Sequence, residues 1–165
     1  MITRSAGAII FTQHHFPKRL SGQKQYTKNG AGFRKEKGKI YYLLLNYSAI
    51  GKLSKTYWGF SKGTIEQGEK EIDTIKREVA EETGIKDLDF IEGFKETEKY
   101  FFKHGRETIF KTVYFLLAET KTEEVKLSFE HLDFKWLTYE EAIKQLTFKN
   151  AKEILQKAND FLQTF

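Results

Sequence analysis

The chain has 165 residues, among them fifteen Phe, eight Tyr and two Trp, enough apolar material for one domain with a substantial core. It has no Cys, which excludes disulfides, thiolate metal sites and a cysteine nucleophile, and fits a reducing, cytoplasmic setting. Its 28 Lys and Arg outweigh 23 Asp and Glu, a net charge of +5 that suits anionic partners, and no apolar run approaches the roughly 20 residues of a membrane span.

In chain order, the opening MITRSAGAIIFTQHH has too short an apolar stretch for a signal peptide, and SAGAIIF within it (residues 5–11) reads as a buried strand. Residues 12–38 then lose apolar content. They carry Lys18, Arg19, Lys24, Lys28, Arg34, Lys35 and Lys37 against Glu36 alone, a net of +6, with four glycines and the only proline, Pro17. This composition predicts a basic loop inserted between two strands, serving either as a solvated insertion or as an arm that contacts substrate or RNA. KIYYLLLNY (39–47) reads as the next strand, and YWGF (57–60) as a short strand feeding a loop at Gly63.

Residues 69–83 predict a helix. Ile72, Ile75 and Val79 recur at helical spacing, and Gly84 falls where a left-handed C-terminal cap belongs. Glu78, Glu81 and Glu82 are three and four apart, so their carboxylates converge on one side of that helix. Like charges at that spacing weaken an isolated helix by a few tenths of a kcal/mol each, a penalty that a divalent cation would remove. Residues 69–82 hold six acids against three bases, a net of −3, whereas the rest of the chain carries +8. An acidic island in a basic protein suits a metal inside a site that receives polyanions.

Farther on, DLDFIEGFKETEKYFF (87–102) and TIFKTVYFLLAE (108–119) predict a long hairpin, with KHGRE as its turn and Gly105 at the tip. FKWLT (134–138) reads as a final strand, and Thr138 with Glu141 forms a capping box for a helix through Leu146. Asn150 with Glu153 resembles a second capping box. It precedes a helix on which Ala151, Ile154, Leu155, Ala158, Phe161, Leu162 and Phe165 share one apolar face, the pattern of core packing. Strands interleaved with a few helices fit the α/β class, an α/β/α sandwich around a mixed β-sheet, as a single domain over residues 1–165.

Residues 63–85, GTIEQGEKEIDTIKREVAEETGI, hold nine positions in fixed register: Gly63, Glu69, Arg77, Glu78, Val79, Glu81, Glu82, Gly84 and Ile85. The spacing is that of the Nudix box, G-x5-E-x7-R-E-U-x-E-E-x-G-U with U aliphatic, and the chain therefore resembles the Nudix hydrolases. A solvated, Glu-rich surface helix does not account for that combination of Gly, Arg and Glu. The resemblance implies the Nudix fold with its loop–helix–loop motif. It also implies hydrolysis of a phosphoanhydride in a nucleoside diphosphate linked to another moiety, with Mg²⁺ or, as an alternative, Mn²⁺.

Outside the box, IEGFKETEKY (91–100), FKTVYFLLAE (110–119), LSFEHLDFKWLTYEEA (127–142) and LTFKNAKEILQKANDFL (146–162) are similar to the asymmetrical diadenosine tetraphosphate hydrolases of animals and archaea, a group within that family. By that resemblance Glu78 and Glu82 are the principal Mg²⁺ ligands, with Glu81 beside them as ligand or water-activating base. Glu130 assists the metal or the base. Arg77 orients Glu78, Glu69 supports the loop–helix junction and the metal shell, and the Gly63 backbone approaches the metal or a phosphate because it lacks a Cβ. Lys62 and Lys111 neutralise the polyphosphate, and Tyr100 and Phe148 sandwich one adenine.

Three positions depart from the group's pattern: Ser61 stands for a Pro, Thr64 for a His, and Tyr57 for a His near the phosphates. A tyrosine can donate a hydrogen bond there but carries no positive charge near neutral pH. The implied reaction is diadenosine tetraphosphate plus water to ATP plus AMP, through attack by a metal-activated water. Two other readings stand beside it. One is a Nudix pyrophosphohydrolase acting on RNA 5′ ends, oxidised nucleotides or ADP-ribose. The other is a nucleotide-binding module without catalysis, against which the complete set of box carboxylates counts.

Overall fold

Two apolar layers organise the molecule, and the N-terminal strand feeds both. The computed structural model describes residues 1–13, 38–48 and 55–165. Its elements are β1 (Ile2–Thr12), β2 (Tyr41–Tyr47), β3 (Tyr57–Gly59), β4 (Ser61–Thr64), α1 (Glu71–Thr83), β5 (Asp89–His104), β6 (Glu107–Glu119), β7 (His131–Leu137), α2 (Tyr139–Gln145) and α3 (Lys149–Leu162). From Ser5 to Thr12 every residue of β1 is buried, the mark of a strand covered on both faces. Ile9 and Phe11 enter one core with Tyr42, Leu44, Val113, Phe115 and Leu117, where Leu146, Ile154, Leu155 and Ala158 of the C-terminal helical region pack against them. Ala6, Ala8 and Ile10 enter the other with Leu43 and Leu45, sealed by Ile75 and Val79 of α1. The result is helix on both faces of one sheet.

The sheet is mixed. The order β3-β2-β1-β6-β5 runs across it, with β4 paired to β1 and β7 paired to β2. β1 lies parallel to β6 from Ile2↔Phe110 to Phe11↔Glu119, and antiparallel to β4 from Ser5↔Thr64 to Ala8↔Ser61. The α/β class, the mixed sheet and the long β5–β6 hairpin are as the sequence predicts. The hairpin closes more tightly than expected, through Gly105 and Arg106 alone, with Gly105 at φ 62°. Gly84 caps α1 at φ 75°, and its N–H donates to the Ala80 carbonyl.

Four expectations change. Gly63 lies on strand β4, opposite Ala6, and not in a loop; a strand of four residues is too short to show periodicity. The helix begins at Glu71, so Glu69 precedes it and its carboxylate turns back onto the helix. Ile72 is 41 % exposed, because the first turn borders a shallow cleft bounded by Arg4, Ile65 and Leu116 instead of packing into the core. Asn150 does not cap α3: the helix starts at Lys149 with Phe148 as its N-cap, which places Asn150 inside the first turn. The Thr138–Glu141 capping box does form, with the Thr138 N–H donating to the Glu141 carboxylate at 3.0 Å. Residues 14–37 of the predicted basic loop lie outside the described residues.

Candidate active site

Strand β4 and helix α1 meet where the box residues converge. Ideal Cβ geometry at Gly63 would collide with the Glu78 carboxylate, so glycine is what allows that carboxylate to lie on the strand. Arg77 fixes it from the other side. Its Nη1 donates to Glu78 Oε1 at 2.7 Å, its Nε to Glu69 Oε1 at 2.7 Å, and its Nη2 to Glu69 Oε2 and the Thr64 carbonyl at 3.0 Å each. Glu69 also accepts from Thr74 Oγ1 at 2.7 Å and the Glu66 N–H at 3.1 Å. These bonds, led by Arg77, hold its carboxyl down to about 2. One guanidinium thus ties the entry loop, the strand and the helix together.

The three helix carboxylates do not all share one pocket. Glu81 is 61 % exposed, with its oxygen 3.7 Å from Arg77 Nη1. Glu82 turns inward and accepts from Ser61 Oγ at 2.5 Å. Burial pushes Glu82 up to about 8, the Ser61 bond opposes this, and the charges of Glu78 and Glu130 add to it. Glu130 therefore lies within electrostatic range of Glu82 although it is 48 residues away in sequence. His131 Nε2 sits 3.8 Å from Glu82 Oε1 without a hydrogen-bond partner among the described residues, while Nδ1 meets Ser128 Oγ at 3.1 Å.

Among the described residues no three His, Asp or Glu side chains close around a single point as a ready metal cage. The donors nevertheless fit a hard divalent cation. They are carboxylate oxygens, and the charges of Glu78 and Glu130 disfavour the ionised form of Glu82.

Beside this cluster opens a cavity of about 710 Å³. Tyr57, Tyr100, Phe102 and Phe148 supply aromatic wall, and Lys62 and Lys111 reach it from β4 and β6. Every substrate residue predicted from the sequence lines this one space. Burial lowers Lys62 from the ordinary lysine value; Glu98 and Glu82 oppose the shift and Lys111 reinforces it. Burial lowers Lys111 as well, against the pull of Glu78. Tyr57 stacks on Tyr47 at 4.7 Å between centroids and tilts against Phe148 at 5.4 Å. Burial raises Tyr100 to about 12, with Glu98 and Tyr57 adding to the shift. Phe148 is 54 % exposed, so it is a wall of the cavity and not a core residue.

Sequence reasoning missed three participants. Ser61 holds Glu82, Tyr47 supports Tyr57, and His131 faces Glu82. Ser61 was visible only as a departure from a motif. His131 had one signal, its place next to Glu130.

Fold and site define an α/β/α protein whose carboxylates gather at a strand–helix junction. The model of the NUDIX domain matches residues 30–158, and the chain belongs to the Nudix hydrolase family. It is 34 % identical to the asymmetrical bis(5′-nucleosyl)-tetraphosphatase of Mus musculus over 98 % of this chain and 97 % of that protein. It is 35 % identical to the Sus scrofa protein of the same name over the same shares. Among solved structures, a C. elegans Ap4A hydrolase binary complex matches with a TM-score of 0.69 and 25 % identity over 99 % of each chain. The Nudix domain of Shewanella oneidensis NrtR, complexed with ADP ribose, matches at 0.61 and 17 % over 98 % of this chain and 89 % of that one, a likeness of fold. Among the described residues no helix is long and apolar enough to cross a membrane.

Proposed function

We propose that the chain hydrolyses dinucleoside polyphosphates with Mg²⁺, taking diadenosine tetraphosphate and water to ATP and AMP. One observation carries the reading: an aromatic cavity with two desolvated lysines lies against the carboxylate cluster of β4 and α1. The relatives named bis(5′-nucleosyl)-tetraphosphatase support it. Tyr100 and Phe148 take one adenine between them, with Tyr57 beside it; stacking stabilises by about 1–3 kcal/mol per base and tolerates base identity. Lys62 and Lys111 hold the polyphosphate, which restores to each ammonium the partner that burial removed.

Glu78 and Glu82, with Glu81, Glu130 and the Gly63 backbone, would hold the cation. When bound it supplies Lewis-acid stabilisation of the charge that builds on the bridging and leaving oxygens. Arg77 and Glu69 keep Glu78 in place. A carboxylate among Glu81, Glu82 and Glu130 takes the proton of the attacking water. The oxygen of that water joins the phosphorus that departs in AMP, and ATP leaves.

The test is anion-exchange analysis of products from diadenosine tetraphosphate, ADP-ribose, 8-oxo-dGTP and 5′-triphosphorylated RNA. Equal ATP and AMP from the first, far faster than turnover of the others, is expected. Preference for another member of the panel overturns the substrate. In ¹⁸O-water the label is expected in AMP, and label in ATP would move the attack to another phosphorus.

A further inference from the structure

The β5–β6 hairpin has two faces, and the nucleotide cavity uses one. Strand alternation sends Glu98, Tyr100 and Phe102 to the cavity, while Lys99, Phe101 and Lys103 project from the opposite side. There three adjacent strands bring Phe101, Phe110 and Ile2 into one row, Phe101 opposite Phe110 and Phe110 opposite Ile2. The two Phe rings lie 4.8 Å apart. Helix α1 covers this face only farther along, over Ala6, Ala8 and Ile10. The row is left open, with Phe101 71 % and Ile2 76 % exposed.

Cations flank it. Arg4 and Lys99 both oppose Thr112 on one side of the row, and Lys103 opposes Thr108 on the other. Among the described residues, ion pairs engage Lys95 with Glu71 and Lys157 with Glu96, but none engages Arg4, Lys99 or Lys103. The acids of the same stretch of β5, Glu96 and Glu98, alternate onto the other face.

We propose that this outer face binds single-stranded nucleic acid, with bases stacked on Phe101 and Phe110 and phosphates met by Arg4, Lys99 and Lys103. Lys99, Phe101 and Lys103 stand two residues apart, about 7 Å along the strand. Charge, ring and charge in that order complement a chain that alternates phosphates and bases. The excess of cations outside ion pairs, of which Arg4 rests 5.2 Å from the Tyr114 ring centroid, selects an anionic partner and disfavours a second copy of the chain, which would set like charge against like charge. The inference does not rest on the substrate assigned to the cavity.

The test is fluorescence anisotropy of 5′-fluorescein-labelled oligo(U) and oligo(dT) 12-mers with the full chain in EDTA, at 50 and 200 mM KCl. Binding that weakens with salt is expected. Phe101→Ala weakens it roughly 5- to 150-fold, the loss of one stacked base. The pair Lys99→Gln and Lys103→Gln reduces the salt slope by about 1.4, at about 0.7 per phosphate contact. All three side chains are exposed, so the variants are expected to fold, with circular dichroism as the check. Three results overturn the proposal: no binding at 50 mM KCl, binding abolished by Lys111→Gln but unmoved by Phe101→Ala, or a dimer in sedimentation that Phe101→Ala dissociates. Capture by phosphatidylserine vesicles without oligonucleotide binding overturns it as well and assigns the face to a lipid surface.

Discussion

At the scale of single residues, the site depends on what is missing at Gly63 and what is held at Glu78. A methyl group at Gly63 would occupy the place of the Glu78 carboxylate, so Gly63→Ala displaces the carboxylate while leaving the strand pairing intact. A misplacement of about 1 Å is enough to cost about 100-fold in rate. We expect that loss in kcat on diadenosine tetraphosphate, with the melting temperature changed little. Phe148 tests the other half of the site. Because it is a half-exposed wall and not core, Phe148→Ala leaves stability nearly unchanged. Its expected effect is a fall in kcat/KM of roughly 5- to 150-fold, the equivalent of one stacked base. Both residues were legible in the sequence because a fixed motif spacing and a segment-level likeness pointed to them. Ser61 was not. Its bond to Glu82 arises from an antiparallel pairing of β4 with β1 that no local pattern announces.

At the scale of elements, helix α1 is anchored by the clamp around Glu69. In the fold that carboxyl lies near 2, well below its ordinary 4.5, chiefly because Arg77 donates to it. A depressed carboxyl contributes stability that is fully present above the ordinary value and is lost as pH falls toward the folded value. Melting temperatures measured from pH 7 to pH 2.5 are therefore expected to show Glu69→Gln below the parent near neutrality. The gap closes as the pH drops through 4.5 toward 2; a constant gap would show that the clamp is not electrostatic. Amphipathic helices were readable because their periods are long enough to count: Ile154, Leu155 and Ala158 are buried as the stripe on α3 predicts. Helix ends were read less well. Asn150 and Glu153 have the spacing of a capping box, yet helix α3 starts before them. Ile72 follows the helical period, yet it borders a shallow cleft over Arg4 and Leu116 and stays partly open.

At the scale of the whole molecule, charge is divided as the proposed polyanionic substrate requires. Lys55, Lys62, Lys111 and Lys149 line the cavity against Glu98 alone, whereas the box segment is acidic. Approach of a polyanion is then favoured by a field that salt screens over about 10 Å at 0.1 M. KM for diadenosine tetraphosphate is expected to rise between 25 and 250 mM KCl while kcat moves little; a KM indifferent to salt would remove long-range attraction from the account.

The fold class was legible because apolar strand segments interleave with amphipathic helices along the chain, the pattern that the Nudix resemblance also implies. The crossing of the chain was not. Nothing between Ile2 and Thr12 reveals that their partner in the sheet is Glu107–Glu119. That parallel pairing has a consequence for biosynthesis. The N-terminal strand is made first, but its longest neighbour is more than a hundred residues behind it in translation. Until the ribosome has released about residue 120, one of the most apolar segments of the protein waits without its main partner. Arrested nascent chains shorter than that are therefore substrates for chaperones and proteases, and resistance to digestion arrives late and abruptly as β6 emerges.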